Sequence, residues 1–568
     1  LKDWLTSDTL VEQVLPQMAG VDANIDLAID TLTLCGVAVN GLTLDTTLDD
    51  GSMELRRLTL DTSLGARLEA KGRIDRLSLL TGMDLSYSIV STDWDRLIRA
   101  VAGAMLLSPE RTGLLNKMAK TVVVSGRMTG SSDKTGIEMT VDLGESGRLE
   151  IGGDMTVAAG PNSFDMTARL THPETSALMT LFGMDVPTAF EDAPADLFAR
   201  IEGTRQNFVF KDLQGGIGDL TVMGSVSVDR SPARPVVVID LTTGILDVPG
   251  LWPEHENDNE VSVVRWPDTS FCSNWLSRFD GNFKLEAARL DWPPLSLETA
   301  RLNAGLKDGV LVVRSLSGKL AGGEVNLDGR FDSRGPLPKG VAKLRITGGH
   351  LDKLGAGPLA VIEGAVDLDL NLQAEGDSTA AMIRHLSGSG QISARGGHLA
   401  GFDVGAVVAA LAQAEVPGDF VDRASVSMQQ GRTPFRSLDA SLRFDGGLAR
   451  TEDLKIVSDV VTATARGVVD LPGWTLDILT VFKLAGSQPP PPFSMRLTGY
   501  VDAPEKDFDF AGLREHLVGR AAKALIKSLV DQKDGTTAPS PPQPPKPDHK
   551  AAIQGVLERI LDSNEGLP

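Results

Sequence analysis

Aromatic residues are scarce in this 568-residue chain, at 5% with only 2 Tyr. A deep globular core draws much of its burial from ring area. The shortage, with a length too great for one compact core, excludes a single thick domain and leaves several domains or an elongated repeat assembly. Cysteine is nearly absent as well: Cys35 and Cys272 are the two, too few for a disulfide-built scaffold. No run of 18 apolar residues is present, so no helix of this sequence spans a bilayer. The chain opens on Leu1 with no signal-peptide pattern and is read as part of a longer protein. Positive charge is in deficit. The formal net charge of −21 repels a phosphate backbone, so nucleic acid is not an expected partner, and anionic headgroups are repelled except where a local segment reverses the sign.

The motifs of catalysis are missing too. The seven histidines (His172, His255, His350, His385, His398, His516, His549) are scattered, with no HExxH and no Cys/His pair at zinc spacing, so no metal and no cofactor is expected. GGIGD at 215–219 and GSG at 388–390 lack the P-loop lysine and read as hairpin and bulge glycines. There is no GxSxG elbow and no calcium-binding nonapeptide. Carboxylates are abundant, but they recur at wet strand positions and in turns, which solubility and turn geometry alone produce. The chain is therefore expected not to be an enzyme.

What is present is glycine (59 residues) and period-two alternation. In AVDLDLNLQAEGD, Val366, Leu368, Leu370, Leu372 and Ala374 fall on one side and Asp367, Asp369, Asn371, Gln373 and Glu375 on the other. The same grammar sets Leu344 and Ile346 against Lys343 and Arg345, and Phe493, Met495 and Leu497 against Ser494 and Arg496. One dry and one wet face is the habit of antiparallel sheets. Asp50-Gly51, Asp308-Gly309 and Asp445-Gly446 offer the positive-φ residues of tight hairpins.

The alternation also repeats at long range. NIDLAIDTLTLCGVAVNGLTLDTTLDDG, from Asn24, aligns without a gap on NFKLEAARLDWPPLSLETARLNAGLKDG, from Asn282, at a constant offset of 258 residues, the distance from Gly51 to Gly309. A third copy, LDASLRFDGGLARTEDLKIVSDVVTATARGVVD, ends on Gly467-x-x-Asp470, matching Gly72-x-x-Asp75 and Gly329-x-x-Asp332; that Gly follows Leu58, Leu316 and Leu454 by 14, 13 and 13 residues. Each copy is a short meander that buries its apolar face only beside neighbours. Cys35 and Cys272 sit at non-equivalent places in this repeat and are read as unpaired, a single bridge being the alternative.

Helical patterns are few: 1–15, two between 92 and 119, PETSALMTLFG, and DSTAAMIRHL and FDVGAVVAALAQ on either side of the strand GSGQISARGG. The last long one, AGLREHLVGRAAKALIKSLV, carries Leu513, Leu517, Ala521, Leu525 and Leu529 on one stripe with Arg514, Arg520, Lys523 and Lys527 at its border. The expected organisation is a first β-repeat with flanking helices over 1–120, a middle β region over 121–260, a second β-repeat over 261–363, a closing β region with two short helices over 364–510, the amphipathic helix at 511–532, a Pro-rich linker at 533–550 and a short helix at 551–568.

The run LDLNLQAEGDSTAAMIRHLSGSGQISARGGHLAGFDVGAVV, from Leu368 to Val408, resembles the C-terminal region of the AsmA family. LTHPETSALMTLFG, GGIGDLTVMGSVSVDRSPARPVVVIDLTTGILDVPGL and SLRFDGGLARTEDLKIVSDVVTATARGVVDLPGWTLD are similar to its middle and closing portions. The resemblance covers most of 20–510 and lies in the order of several weak motifs. It implies a protein of the Gram-negative periplasm, held to the inner membrane by an N-terminal helix that this chain does not contain. It also implies a part in phospholipid delivery and outer-membrane homeostasis, with outer-membrane or periplasmic proteins as further partners.

The expected fold is therefore mainly β: an elongated, repetitive antiparallel sheet forming a meander or β-groove, with a few short capping helices. Roughly 25 strands at about 4.8 Å spacing form such a sheet. Its apolar side needs a cover, and three readings stand. Acyl chains of phospholipid lie along it, at about 0.8 kcal/mol per buried methylene; or paired sheets close into a dry scaffold that binds envelope proteins; or the chain is an enzyme acting on envelope polysaccharide. On the first reading the candidate lipid-facing residues are Leu344, Ile346, Val366, Leu368, Leu370, Leu372, Phe493, Met495 and Leu497. Leu513, Leu517, Leu525, Leu529, Arg520, Lys523 and Lys527 then form a helix that caps the sheet or touches membrane.

Overall fold

The structure, a computed structural model, describes residues 20–531 except 35–36, 64, 94–120, 143–146, 158–161, 177–189, 191–192, 249–265, 269, 271–275, 293–294, 351–361, 415–416, 429–430 and 487–488. The helical patterns expected at 1–15 and 92–119, most of PETSALMTLFG, the linker, the last helix and both cysteines lie outside the described residues. Those described hold 27 strands, β1–β27 in chain order, and four helices. The chain divides into two compact units, Leu1–Ser262 with Asn274–Arg314, and Val263–Ser273 with Ser315–Pro568.

In the N-terminal unit the strands from β1 (Ala23–Leu34) to β15 (Leu295–Lys307) pair each with the next. Because side chains alternate, the register strings the apolar residues into rows that cross the strands. One row runs Leu44, Leu58, Ala70, Tyr87, Gly126, Met139, Ile151, Ala168 and Ala199. Another runs Ile201, Phe210, Val226, Ile239, Phe283 and Ala304. The opposite face carries cross-strand ion pairs, among them Arg127 on Asp84 (2.7 and 2.8 Å) and Arg200 on Asp165 (2.8 and 2.6 Å), each through two nitrogens and two oxygens.

One junction departs from the antiparallel expectation. β13 (Val236–Asp247) and β14 (Asp280–Trp292) run parallel, making the sheet mixed. The repeat accounts for its place: at the 258-residue offset, β14 is the counterpart of β1, so the parallel pair marks where the pattern starts again. A parallel connection needs a long crossover rather than a hairpin, and 32 residues, 248–279, separate the two strands.

The Gly of each Gly-x-x-Asp marker has a steric reason. A Cβ at Gly72 would lie 2.0 Å from the Asp84 carbonyl oxygen, at Gly329 2.7 Å from that of Val341, and at Gly467 2.4 Å from that of Asp477. Gly72 and Gly467 also stand beside a strand that carries one extra residue, a β-bulge, at Arg56–Arg57 and at Glu452–Asp453. A further bulge, unrecognised in the sequence, lies at Lys211–Asp212 in β11 (Asn207–Ile217), where Gly224 opposes the residue after the bulge instead of the one before it. Bulges bend and twist the strand that holds them, so the repeat is a bending device as well as a meander. The hairpins form at the expected glycines with one shift: the positive-φ pair after β22 (Arg432–Asp445) is Gly446-Gly447, since Asp445 pairs with Leu448.

The C-terminal unit contains β17 (Gly323–Asp332) to β27 (Ala503–Asp509) and helices α1 (Thr379–Arg384), α2 (Val404–Gln413), α3 (Pro417–Ser427) and α4 (Ala511–Asp531). β27 ends the pairing order, hydrogen-bonded only to β26 (Phe493–Tyr500) among the described strands. Asp403 starts α2 by accepting the Ala406 amide at 2.9 Å. α2 buries Val404, Val407, Ala410 and Leu411, a stripe at helical spacing.

Candidate functional site: the apolar face of the C-terminal unit

Four rows of side chains cross β20 (Val366–Glu375) to β26 on one face. The first is Val366, Ala394, Leu438, Ile456, Ala463, Phe482 and Phe493. The second begins with Ile346 on β18 (Lys339–Gly349) and passes through Leu368, Ile392 and Ala440; across the Glu452–Asp453 bulge it resumes at Leu454, Ala465, Thr480 and Met495. The third holds Leu344, Leu370, Gly390 and Leu442, then Thr451, Gly467, Ile478 and Leu497. The fourth is Leu372, Gly388, Phe444, Ala449, Val469 and Leu476.

The first row is sealed. Phe482 stacks on Phe493 at 4.8 Å between ring centres, Phe402 and Phe510 meet this pair, and Phe420 of α3 meets Phe510 at 5.6 Å. Phe420, Phe482, Leu438, Val366 and Leu513 of α4 are fully buried here. Five of the chain's 18 phenylalanines thus meet at one place. The fourth row is closed differently, by a small core of Val469, Leu476 and Val501 against which Leu471 and Trp474 pack. Over it lies the chain at Trp266 and Asp268: the Trp266 indole donates to the Leu471 carbonyl at 2.7 Å and meets Trp474 edge-on, while Asp268 accepts from Ser378 and Arg384 beside α1.

Between these two closures lies a cavity of about 480 Å³, lined mainly by the middle rows, with Leu438, Ile456 and Phe482 of the first row and Phe444, Val469 and Leu476 of the fourth at its sides. Its wall is almost wholly apolar, interrupted by Thr451, Thr480, Arg450 and Asp502. That volume falls within the range of small-molecule sites, about 300–1,000 Å³. Small residues, Ala440, Ala465 and Gly467, are part of that wall. Lys506 takes the third row's next place, opposite Leu497; its ammonium donates to the Gly401 carbonyl at 2.7 Å, and burial holds its pKa below the usual lysine value.

Of the nine strand residues singled out in the sequence, Leu368, Leu370, Met495 and Leu497 line the cavity. Val366 and Phe493 belong to the sealed first row, Leu372 to the fourth, and Leu344 and Ile346 extend the middle rows one strand beyond it. The period-two pattern identified the face but not the part left open. Phe402, Phe420, Phe482 and Phe510 were missed, as was α3 itself, where Phe420, Ala424 and the adjoining Met428 are spaced by four and fully buried. That spacing was the available signal; Gly418, Asp422 and Ser425 obscured it.

α4 is not one stripe. Leu513 and Leu517 are buried and Arg520 donates to the Leu411 carbonyl at the end of α2, whereas Leu525 and Leu529 are exposed. Four-residue spacing advances about 40° past each full turn, so the expected stripe winds to another side of the helix. No described helix is long and apolar enough to cross a membrane, and among the described residues no group of three or more His, Cys, Asp or Glu is placed to hold a metal ion.

Residues 252–454 match the AsmA family. This AsmA-family region contains β14 to β22 and α1 to α3, while the walls from β24 (Val461–Asp470) onward and α4 lie past its end. AsmA proteins are envelope-associated. No curated protein and no solved structure matches the chain.

Proposed function

We propose that this is a non-enzymatic, AsmA-like envelope protein whose apolar β-face binds the acyl chains of phospholipid and carries lipid between the inner and outer membranes, supporting outer-membrane homeostasis. The observation behind this reading is the 480 Å³ apolar cavity between two closed edges of a sheet whose other face is wet. Each methylene that enters contributes about 0.8 kcal/mol; transfer along such a lining needs no reacting group. The periplasm of a Gram-negative bacterium, with attachment to the inner membrane, is the setting that fits an AsmA region. A photo-crosslinking residue at Leu370, with Leu497 as a second site, tests the reading in cells. Capture of phospholipid at both positions is expected; uniform failure, with no phospholipid in extracts of the purified protein, sinks it.

The dry first row favours a second reading for that part of the unit. Val366 and Phe493 lie away from the cavity and are packed as an ordinary core, which suits a scaffold docking other envelope proteins. A crosslinker at Val366 is expected to capture no lipid on either reading, and serves as the control.

A further inference from the structure

α4 is partnered along only part of its length. After Leu513 and Leu517, every side chain from Ala522 to Leu529 is exposed. Three of these are large and apolar: Leu525, Ile526 and Leu529, at 41%, 61% and 43% exposure. At about 100° per residue they share one face with Val518, and Arg520, Lys523 and Lys527 take the opposite one. No acidic residue occurs between Glu515 and Asp531, in a chain of net charge −21.

A strongly acidic body is repelled by an anionic surface, so the local reversal of sign has a use only if the helix meets that surface ahead of the body. The exposed stretch from Ala522 to Leu529 is long enough. Its eight residues at about 1.5 Å each span ~12 Å, more than the Debye length of about 8 Å at physiological salt. We propose that the distal turns of α4, from Val518 to Leu529, dock on an anionic lipid bilayer, with Leu525, Ile526 and Leu529 entering the headgroup boundary and Arg520, Lys523 and Lys527 supplying attraction. This rests on α4 alone and does not require the apolar cavity to hold lipid.

Flotation of the whole chain with phosphatidylcholine vesicles, with and without phosphatidylglycerol, tests it. The protein should float with the anionic vesicles and fall off in high salt or on pure phosphatidylcholine. Each basic residue near such a surface is worth about five-fold in binding, so Lys523→Gln with Lys527→Gln should weaken flotation by roughly 25-fold. Leu525→Ser, Ile526→Ser and Leu529→Ser together should abolish it while leaving the melting temperature unchanged, because all three are exposed. Undiminished flotation of either variant overturns the proposal, as does equal binding to neutral vesicles. A wild-type chain that ignores vesicles but self-associates, with the triple serine variant monomeric, assigns the face to a second copy and also overturns it.

Discussion

The two units share one alternating plan and cover its apolar face to different extents. In the N-terminal unit Leu48, Ile74 and Leu77 form a small buried core, but across the rows Leu44, Leu58, Tyr87, Met139, Ile151, Phe210, Val226 and Phe283 are only half-buried. In the C-terminal unit Leu438 and Phe482 of the strands and Phe420 and Leu513 of the helices are fully buried. Strand pattern alone therefore does not decide whether a sheet face is dry. The cover is decided by a handful of rings and helix residues supplied from outside the strands, and where these stop, between the first and fourth rows, a cavity begins.

Truncating a ring in each unit tests that contrast and carries the largest expected effect. Phe482→Ala removes a ring that is 1% exposed and stacked on Phe493, and should destabilise the C-terminal unit by about 3–5 kcal/mol. Phe210→Ala removes a half-buried ring whose aromatic neighbour is Phe208, and should cost about 1–2 kcal/mol, since less area returns to water. Denaturation followed by hydrogen exchange on strands of each unit reads the two separately. Equal costs would erase the distinction between a sealed and a half-open face.

The marker glycines should behave alike in both units, which sharpens the contrast by showing what is common. Gly72→Ala forces a Cβ to 2.0 Å from the Asp84 carbonyl at a φ of +149°, and Gly467→Ala forces one to 2.4 Å from that of Asp477. Each should cost about 2–3 kcal/mol. A harmless Gly467→Ala would mean that the bulge beside it adapts, and that the repeat is a family of loose bends.

Much of this plan was legible. Period-two alternation gave the face of Val366, Leu368, Leu370 and Leu372, because a strand has only two faces and one of them is wet. The 258-residue offset located the point where the pattern restarts, but not the parallel pairing there: β13 and β14 alternate as any strand does, and their direction depends on a long crossover without a local signal. The aromatic cluster was illegible for a related reason. Phe402, Phe420, Phe482, Phe493 and Phe510 are spread over more than a hundred residues and meet only in the fold. In α4, spacing by four suggested one stripe, and helical geometry divides it between two sides.

A smaller effect separates the cover from the sheet beneath it. Asp403→Ala deletes the side chain that caps α2 and should cost about 1 kcal/mol. The loss should appear as faster exchange in α2, and in the Phe402 and Phe420 neighbourhood it helps to hold, with β20 unaffected. If exchange rises throughout the sheet instead, cover and sheet open as a single cooperative body.

The smallest effect belongs to the wet face, which the two units do share. Arg200 beside Asp165 and Arg496 beside Asp477 hold those carboxyls below their ordinary range, the paired hydrogen bonds being the main cause. A carboxyl whose pKa is lowered by folding contributes stability above its unfolded value, near 3.9, and loses it as pH falls through the folded value. Both pairs are exposed and screened by salt, so the contribution is slight. Asp165→Asn and Asp477→Asn should each lower the midpoint of denaturation a little at pH 7, and their curves should meet the wild type in acid. A gap that persists undiminished below the carboxylate range would show that these aspartates act through something other than charge. A gap confined to one unit would mean that the wet faces, like the dry ones, differ between the units.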